Sequence, residues 1–183
     1  MSKVTRNVLL GQISLFVFLF ICFLIIPHFL FEPNEGGVSN YGTYAKTVIP
    51  YTLAFGLSGI SLLLSAKIIS NSLIRYSLYA LGSLFIAVLV STYCYKANSA
   101  LNNIHDYLSA ALLIAELIVG TWFGLFISRN PINIGALSLQ YVGFFLGVLN
   151  YVGINHKLFI AEVIASLGFS ILLIKTVDVT QSK

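Results

Sequence analysis

The chain has 183 residues, of which 58% are hydrophobic and only 9% carry a formal charge. A soluble domain carries about 25% charged residues, so this composition cannot dress a water-facing surface and points to the bilayer as solvent. The formal net charge of +4 does not signal nucleic acid, because the basic residues flank apolar runs instead of clustering.

Six stretches reach the roughly 20 apolar residues that a span requires: 8–31, 47–68, 73–93, 104–127, 132–149 and 156–177. The expected fold is therefore all-α, one integral membrane domain over 1–183 built as a six-helix transmembrane bundle. A five-span arrangement, with one run lying in the interface, stays open. The first run follows Lys3 and Arg6 as a signal peptide would, but it ends in "IIPHFLFEPNE" without a small-residue cleavage site and reads as a retained helix. Pro27 is expected to kink or end it.

The connection after it, "EPNEGGVSNYGTYAK", contains three glycines and is too long for a minimal turn, so it is expected to fold over the helix ends. It is no phosphate cradle, lacking the strand and the lysine of a P-loop. Before the fourth span, Asn103 reads as an N-cap with Asp106 three residues on. Before the fifth, "SRNPIN" offers Asn130 as cap and Pro131 at the first helical position.

Six spans put both termini on one side. With that side cytoplasmic, the inner segments hold Lys3, Arg6, Lys67, Arg75, Arg129, Lys175 and Lys183, against Lys46, Lys96 and Lys157 outside. This bias favours cytoplasmic termini in a multi-pass protein of the cell membrane. Tyr41, Tyr44, Tyr51, Tyr93, Tyr95, Tyr107 and Tyr151 then fall near the outer boundary, where an amphipathic ring is comfortable.

The same topology gathers His28, His105 and His156 at the outer ends of helices, together with Glu32, Glu35, Asp106 and Glu162. A site, if present, opens outward. His105 and Asp106 diverge by about 100° around a helix, so Asp106 reads as a helix-start carboxylate, and the partner expected for His105 is Glu162. Ser39 is the candidate nucleophile beside them. The histidines lack HxxxH or HxxE spacing, and no metal or other cofactor is expected. Cys22 and Cys94 sit in apolar runs and read as packing residues.

Glu116 lies about 16 Å along the fourth helix from His105. His105, Ser109, Leu112 and Glu116 share one face, which should turn into the bundle because a carboxylate facing lipid is costly. Gln140 lies at similar depth and is expected to bond with the Glu116 carboxyl. Gly120 and Gly124 form a GxxxG spacing that permits close approach of a neighbour.

Three stretches in this order, "GGVSNYG", "CYKANSALNNIHDYLSAALL" and "NHKLFIAEVIA", resemble the family named domain of unknown function nine-nine-eight. Its members are six-span proteins of bacteria and archaea, similar in pattern to the Frag/DRAM/Sfk-type eukaryotic membrane proteins. Ser39 and Gly42 match its first motif, where Asn40 replaces an acid and Tyr41 a leucine. His105 matches the histidine of the second. Glu162 matches the third, with Val163 in place of a base. The resemblance implies the six-span fold and, through distant relatives that remodel lipid anchors, lipid headgroups as a ligand class.

Three functional readings follow. The first is a non-catalytic protein that binds a membrane lipid, or another membrane protein, through an outward crevice with Ser39, Asn40, Tyr41, His105, Asp106 and Glu162 as polar contacts. The second is an outward-facing hydrolase or acyl-transfer enzyme acting on lipid, with His105 as base, Glu162 as its partner and Ser39 as nucleophile. The third is a small proton-coupled transporter using Glu116. Binding is favoured over catalysis, and no reading involves nucleic acid.

Overall fold

The computed structural model describes residues 1–27, 37–93, 100–155 and 157–181. His28, Glu32, Glu35, Cys94, Tyr95, Lys96, His156 and Lys183 lie outside the described residues. The six expected helices are present: α1 (Lys3–Ile25), α2 (Val48–Ile68), α3 (Ser72–Tyr93), α4 (Ala100–Trp122), α5 (Pro131–Tyr151) and α6 (Leu158–Gln181). With the π-helical turn Phe123–Ile127 that continues α4, all six are long and apolar enough to cross a membrane.

Local chemistry sets their ends. Helix α1 starts five residues before the expected position because Ser2 caps it, its hydroxyl accepting from the Thr5 N–H at 3.0 Å. It stops at Ile25 because Ile26 precedes Pro27 and is forced out of the helical region, to φ −135°. Asn130 accepts from the Asn133 N–H at 3.0 Å, with Pro131 at the first helical position as expected. The predicted Asn103 cap is not formed: α4 begins at Ala100, which places Asn103 and Asp106 inside the helix. The end of α5 is a Schellman turn, in which Ile154 N–H reaches Leu149 O and Gly153 N–H reaches Asn150 O, each at 2.9 Å. Gly153 supplies the φ of +76° that this turn demands.

Helix α1 packs between α2 and α6, α3 lies against α2, α4 against α3, and α5 against α6. Contacts between Val38 and Glu162, Cys22 and Thr47, and Ser91 and His105 gather the end of α1, the 38–47 segment, the end of α3 and the starts of α4 and α6 at one end. The start of α1, the end of α6 and the turns at 69–71 and 128–130 therefore lie at the other end. The exterior is apolar, with Phe126 76% and Ile49 69% exposed, whereas Gln12, Glu116 and Gln140 are each only 2% exposed. A bundle with its polar side chains inward and its large apolar ones outward suits hydrocarbon, not water.

Two buried networks tie the helices at mid-height. The Gln12 amide donates to Ser58 Oγ at 3.2 Å, and its oxygen accepts from Ser170 Oγ at 2.6 Å, joining α1, α2 and α6. Gln140 Nε2 donates to the backbone carbonyl of Glu116 at 2.8 Å, joining α5 to α4. The expected Gln140 bond to the Glu116 carboxyl is thus corrected to a bond with its backbone. The GxxxG glycines do admit neighbours: Gly120 meets the Gln140 amide, and Gly124 meets Leu172 and Leu137. The tightest backbone approach, however, is between α5 and α6, where a Cβ on Gly143 would overlap Ala165 N and stand 2.7 Å from Ala161 O.

Gly143→Ala is therefore expected to destabilise the bundle by about 1–3 kcal/mol, read as a lower melting temperature in detergent. Gly135→Ala, where a Cβ meets nothing within 4 Å, is expected to leave it unchanged or raise it.

Candidate functional site

The site lies at the end opposite the termini, beneath a short 3-10 segment, Val38–Thr43, that crosses the helix ends. Tyr41 anchors this segment. Its ring is fully buried edge-on to Phe159 (centroids 5.8 Å apart), and its hydroxyl donates to Ile26 O at 3.2 Å. Burial raises the Tyr41 phenol above its ordinary value, so the hydroxyl stays neutral and a donor. Thr47 secures the same residue by donating to Tyr41 O at 2.7 Å. Tyr41, expected among the ligand contacts, is thus placed in the core as a support. Tyr51, in the first turn of α2, is also fully buried within the bundle, its hydroxyl 3.1 Å from Thr92 Oγ1.

The supported segment presents the Val38 N–H to Glu162, whose Oε2 accepts it at 2.6 Å. Helix α6 supplies Glu162 from its second turn, and Gly37 leaves the space: a Cβ there would clash with the carboxylate. A backbone N–H that would otherwise be buried without a partner is satisfied, and one carboxylate oxygen is fixed.

His105, 4% exposed, stands on the inner face of α4. Its Nδ1 lies 2.8 Å from Ser91 Oγ and 3.5 Å from Thr92 Oγ1, and both hydroxyls donate to Val88 O, at 2.8 and 2.9 Å. With those hydrogens committed, Nδ1 acts as the donor. This leaves Nε2 to accept from Ser109 Oγ at 3.4 Å. The expected direct contact between His105 and Glu162 is not among the hydrogen bonds of the described residues, and none of these joins Ser39 to His105. The hydroxyls around the ring are Ser91, Thr92 and Ser109. Two of these are helix-end residues of α3 that nothing in the sequence marks out.

Although they do not bond, His105 and Glu162 line one crevice of about 810 Å³. Ser39, Asn40, Asp106 and Ser109 add polar groups, while Leu113, Ile114, Phe144, Val148 and Leu158 make its apolar walls. Helices α4 and α5 meet at mid-height through Gln140–Glu116 and Thr121–Tyr141 (3.0 Å), and the crevice lies between them toward the end away from their shared turn. A smaller chamber of about 50 Å³ lies against it, sharing Ser39, Ser109, Leu113 and Glu162, and Glu116 lines that chamber. The expected inward face of α4 is therefore present, with His105, Leu112 and Glu116 buried and Ser109 between the two cavities.

Among the described residues, no three His, Cys, Asp or Glu side chains come together as a metal site. Comparison with protein-family models, curated proteins and solved structures finds no significant match.

Gly37→Ala and Glu162→Ala act on one contact and are expected to be non-additive. Each lowers the melting temperature, and the double variant is destabilised by about 1–2 kcal/mol less than the sum of the two. A thermal double-mutant cycle in detergent measures this directly.

Proposed function

We propose that the protein is a multi-pass membrane protein that binds a lipid or lipid-like amphiphile in the crevice between α4, α5 and α6. The observation that carries this reading is the pairing of a polar head region with an apolar wall in one cavity. Asn40, His105, Asp106 and Glu162 stand at the end beside the 38–43 segment, and Ile114, Phe144 and Val148 line the gap between α4 and α5. At about 810 Å³ the crevice falls in the range of small-molecule sites, about 300–1,000 Å³. Ile114 and Val148 are 48% and 43% exposed, so the apolar wall reaches the surface of the bundle. A ligand already in hydrocarbon would therefore reach the site from the side, without leaving the membrane.

The charge bias of the loops supports cytoplasmic termini, which turns the crevice toward the outer leaflet. Membership of the domain-of-unknown-function family suggested by Ser39, His105 and Glu162 is part of the same proposal. Binding is preferred to acyl transfer because catalysis would need Ser39, His105 and Glu162 in hydrogen-bond reach of one another. Instead, Nδ1 of His105 faces Ser91 and Glu162 is held by Val38.

Gly147 borders the crevice, and its nearest neighbour to an added Cβ is Ala161 Cβ at 3.9 Å. Gly147→Trp should fill the cavity while leaving the helices intact. Native mass spectrometry of the purified protein is expected to show retained lipid on the wild type and at least about tenfold less on the variant, a difference of about 1.4 kcal/mol. Equal retention, with unchanged circular dichroism, would remove the crevice as the binding site.

A further inference from the structure

The small chamber next to the crevice has an unusual balance of charge. Glu116 is 2% exposed and lines it, yet its carboxyl has no hydrogen-bond partner among the described residues. Glu162 lines it too, with Oε2 occupied by the Val38 N–H. No Lys or Arg lines either the chamber or the crevice among the described residues. Buried carboxylates are ordinarily paired or coordinated, because an uncompensated charge away from water costs several kcal/mol. Here the described lining supplies carboxyls without a lysine or arginine, and the one histidine, His105, lines the crevice and not the chamber.

The rest of the lining narrows what kind of partner these carboxyls could take. Phe16, Phe55 and Phe85 bring aromatic rings to the chamber, and Phe55 and Phe85 lie 5.6 Å apart. Aromatic rings with carboxylates favour an organic cation, since the π face attracts ammonium groups. A divalent metal ion fits poorly: calcium takes about 6–8 oxygen ligands, and here two carboxyls and three serines are set among apolar side chains. Phosphate or carboxylate would be repelled by the acids. A chamber of about 50 Å³ holds a head of only a few heavy atoms, and Ser39, Ser109 and Leu113 line both it and the adjoining crevice, where a longer apolar part has room.

We propose that the chamber is an ammonium subsite: Glu116 and Glu162 receive the cationic end of an amphiphilic amine whose apolar part occupies the crevice. This rests on the crevice being a binding site for amphiphiles and adds its charge selectivity. The chemistry is shared by two sources, an amine-headgroup phospholipid and a single-chain hydrophobic amine.

The test compares dodecylammonium with dodecanol, which has the same chain and no charge, by calorimetry on the protein in uncharged maltoside micelles, with empty micelles as blank. Wild-type protein is expected to bind dodecylammonium at least about tenfold more tightly than dodecanol, and Glu116→Gln to bring the two to parity with dodecanol unchanged. Thermal melting checks the fold of that variant, and Glu162→Gln serves as the second carboxyl test. Equal wild-type affinities, or a preference surviving in both variants, would overturn the ammonium subsite while leaving the crevice intact. Failure of both probes to bind the wild type would overturn the crevice as well. Phosphatidylethanolamine displacing dodecylammonium would support the subsite and assign it to a lipid headgroup. Undisplaced dodecylammonium that still requires Glu116 would support it and assign it to a free amine.

Discussion

Polar side chains in a bundle with an apolar exterior must find their partners inside it, and that constraint shapes every part of this structure. Water is absent from hydrocarbon, so a carboxyl or amide facing outward has nothing to bond. Gln12 meets the constraint by joining Ser58 and Ser170, and Gln140 by donating to the Glu116 carbonyl. These bonds also set which helix faces meet. The two glutamines fix α1, α2 and α6 on one side and α4 and α5 on the other, around glycines that admit the close approach at Gly143 and Gly120.

The crevice follows from where such bonds stop. Hydrogen bonds tie helices α4 and α5 at the level of Gln140 and Tyr141, and no described hydrogen bond joins them beyond it. The 38–43 segment then covers the space next to α6, held by Tyr41 below and by the Val38–Glu162 contact at its edge. Glu162 thus has a structural role and faces the cavity as well. Glu116 has only the second position, with a carboxyl that no described residue satisfies. Ser65 Oγ, Asn133 Oδ1, Gln140 Oε1 and Thr176 Oγ1 are also buried without a partner among the described residues, but Glu116 is the one that lines a chamber, and the proposed cationic ligand is the partner that space can accept.

Much of the fold was legible in the sequence. Apolar runs located all six helices, and Pro27, Asn130 and Pro131 marked real boundaries, because these signals act through a residue's own backbone. The Asn103 cap failed for the opposite reason: a polar residue at the edge of an apolar run resembles a helix start even when the helix begins a turn earlier. The inward face carrying His105, Leu112 and Glu116 was readable from helical spacing and the cost of a carboxylate in lipid. The partners on that face were not, because spacing within α4 says nothing about which turn of α3 or α6 arrives opposite. His105 therefore met Ser91 and Ser109 instead of Glu162. Gln12 was the missed signal, since a lone amide in the middle of an apolar span already asks for a partner on another helix.

The central claim is that α4 stands in a bilayer with one face toward lipid, one toward the crevice and one sealed in the core. Spin-label accessibility on reconstituted vesicles tests it most directly, using single cysteines along α4 in a background where Cys22 and Cys94 are serine. Labels at Ile114 and Ile118 are expected to collide with oxygen dissolved in the lipid. A label at Ser109 is expected to meet a water-soluble nickel chelate, and a label at Leu112 to meet neither. Maximal oxygen collision at positions 112 and 116, or chelate access at Ile118, would contradict the account.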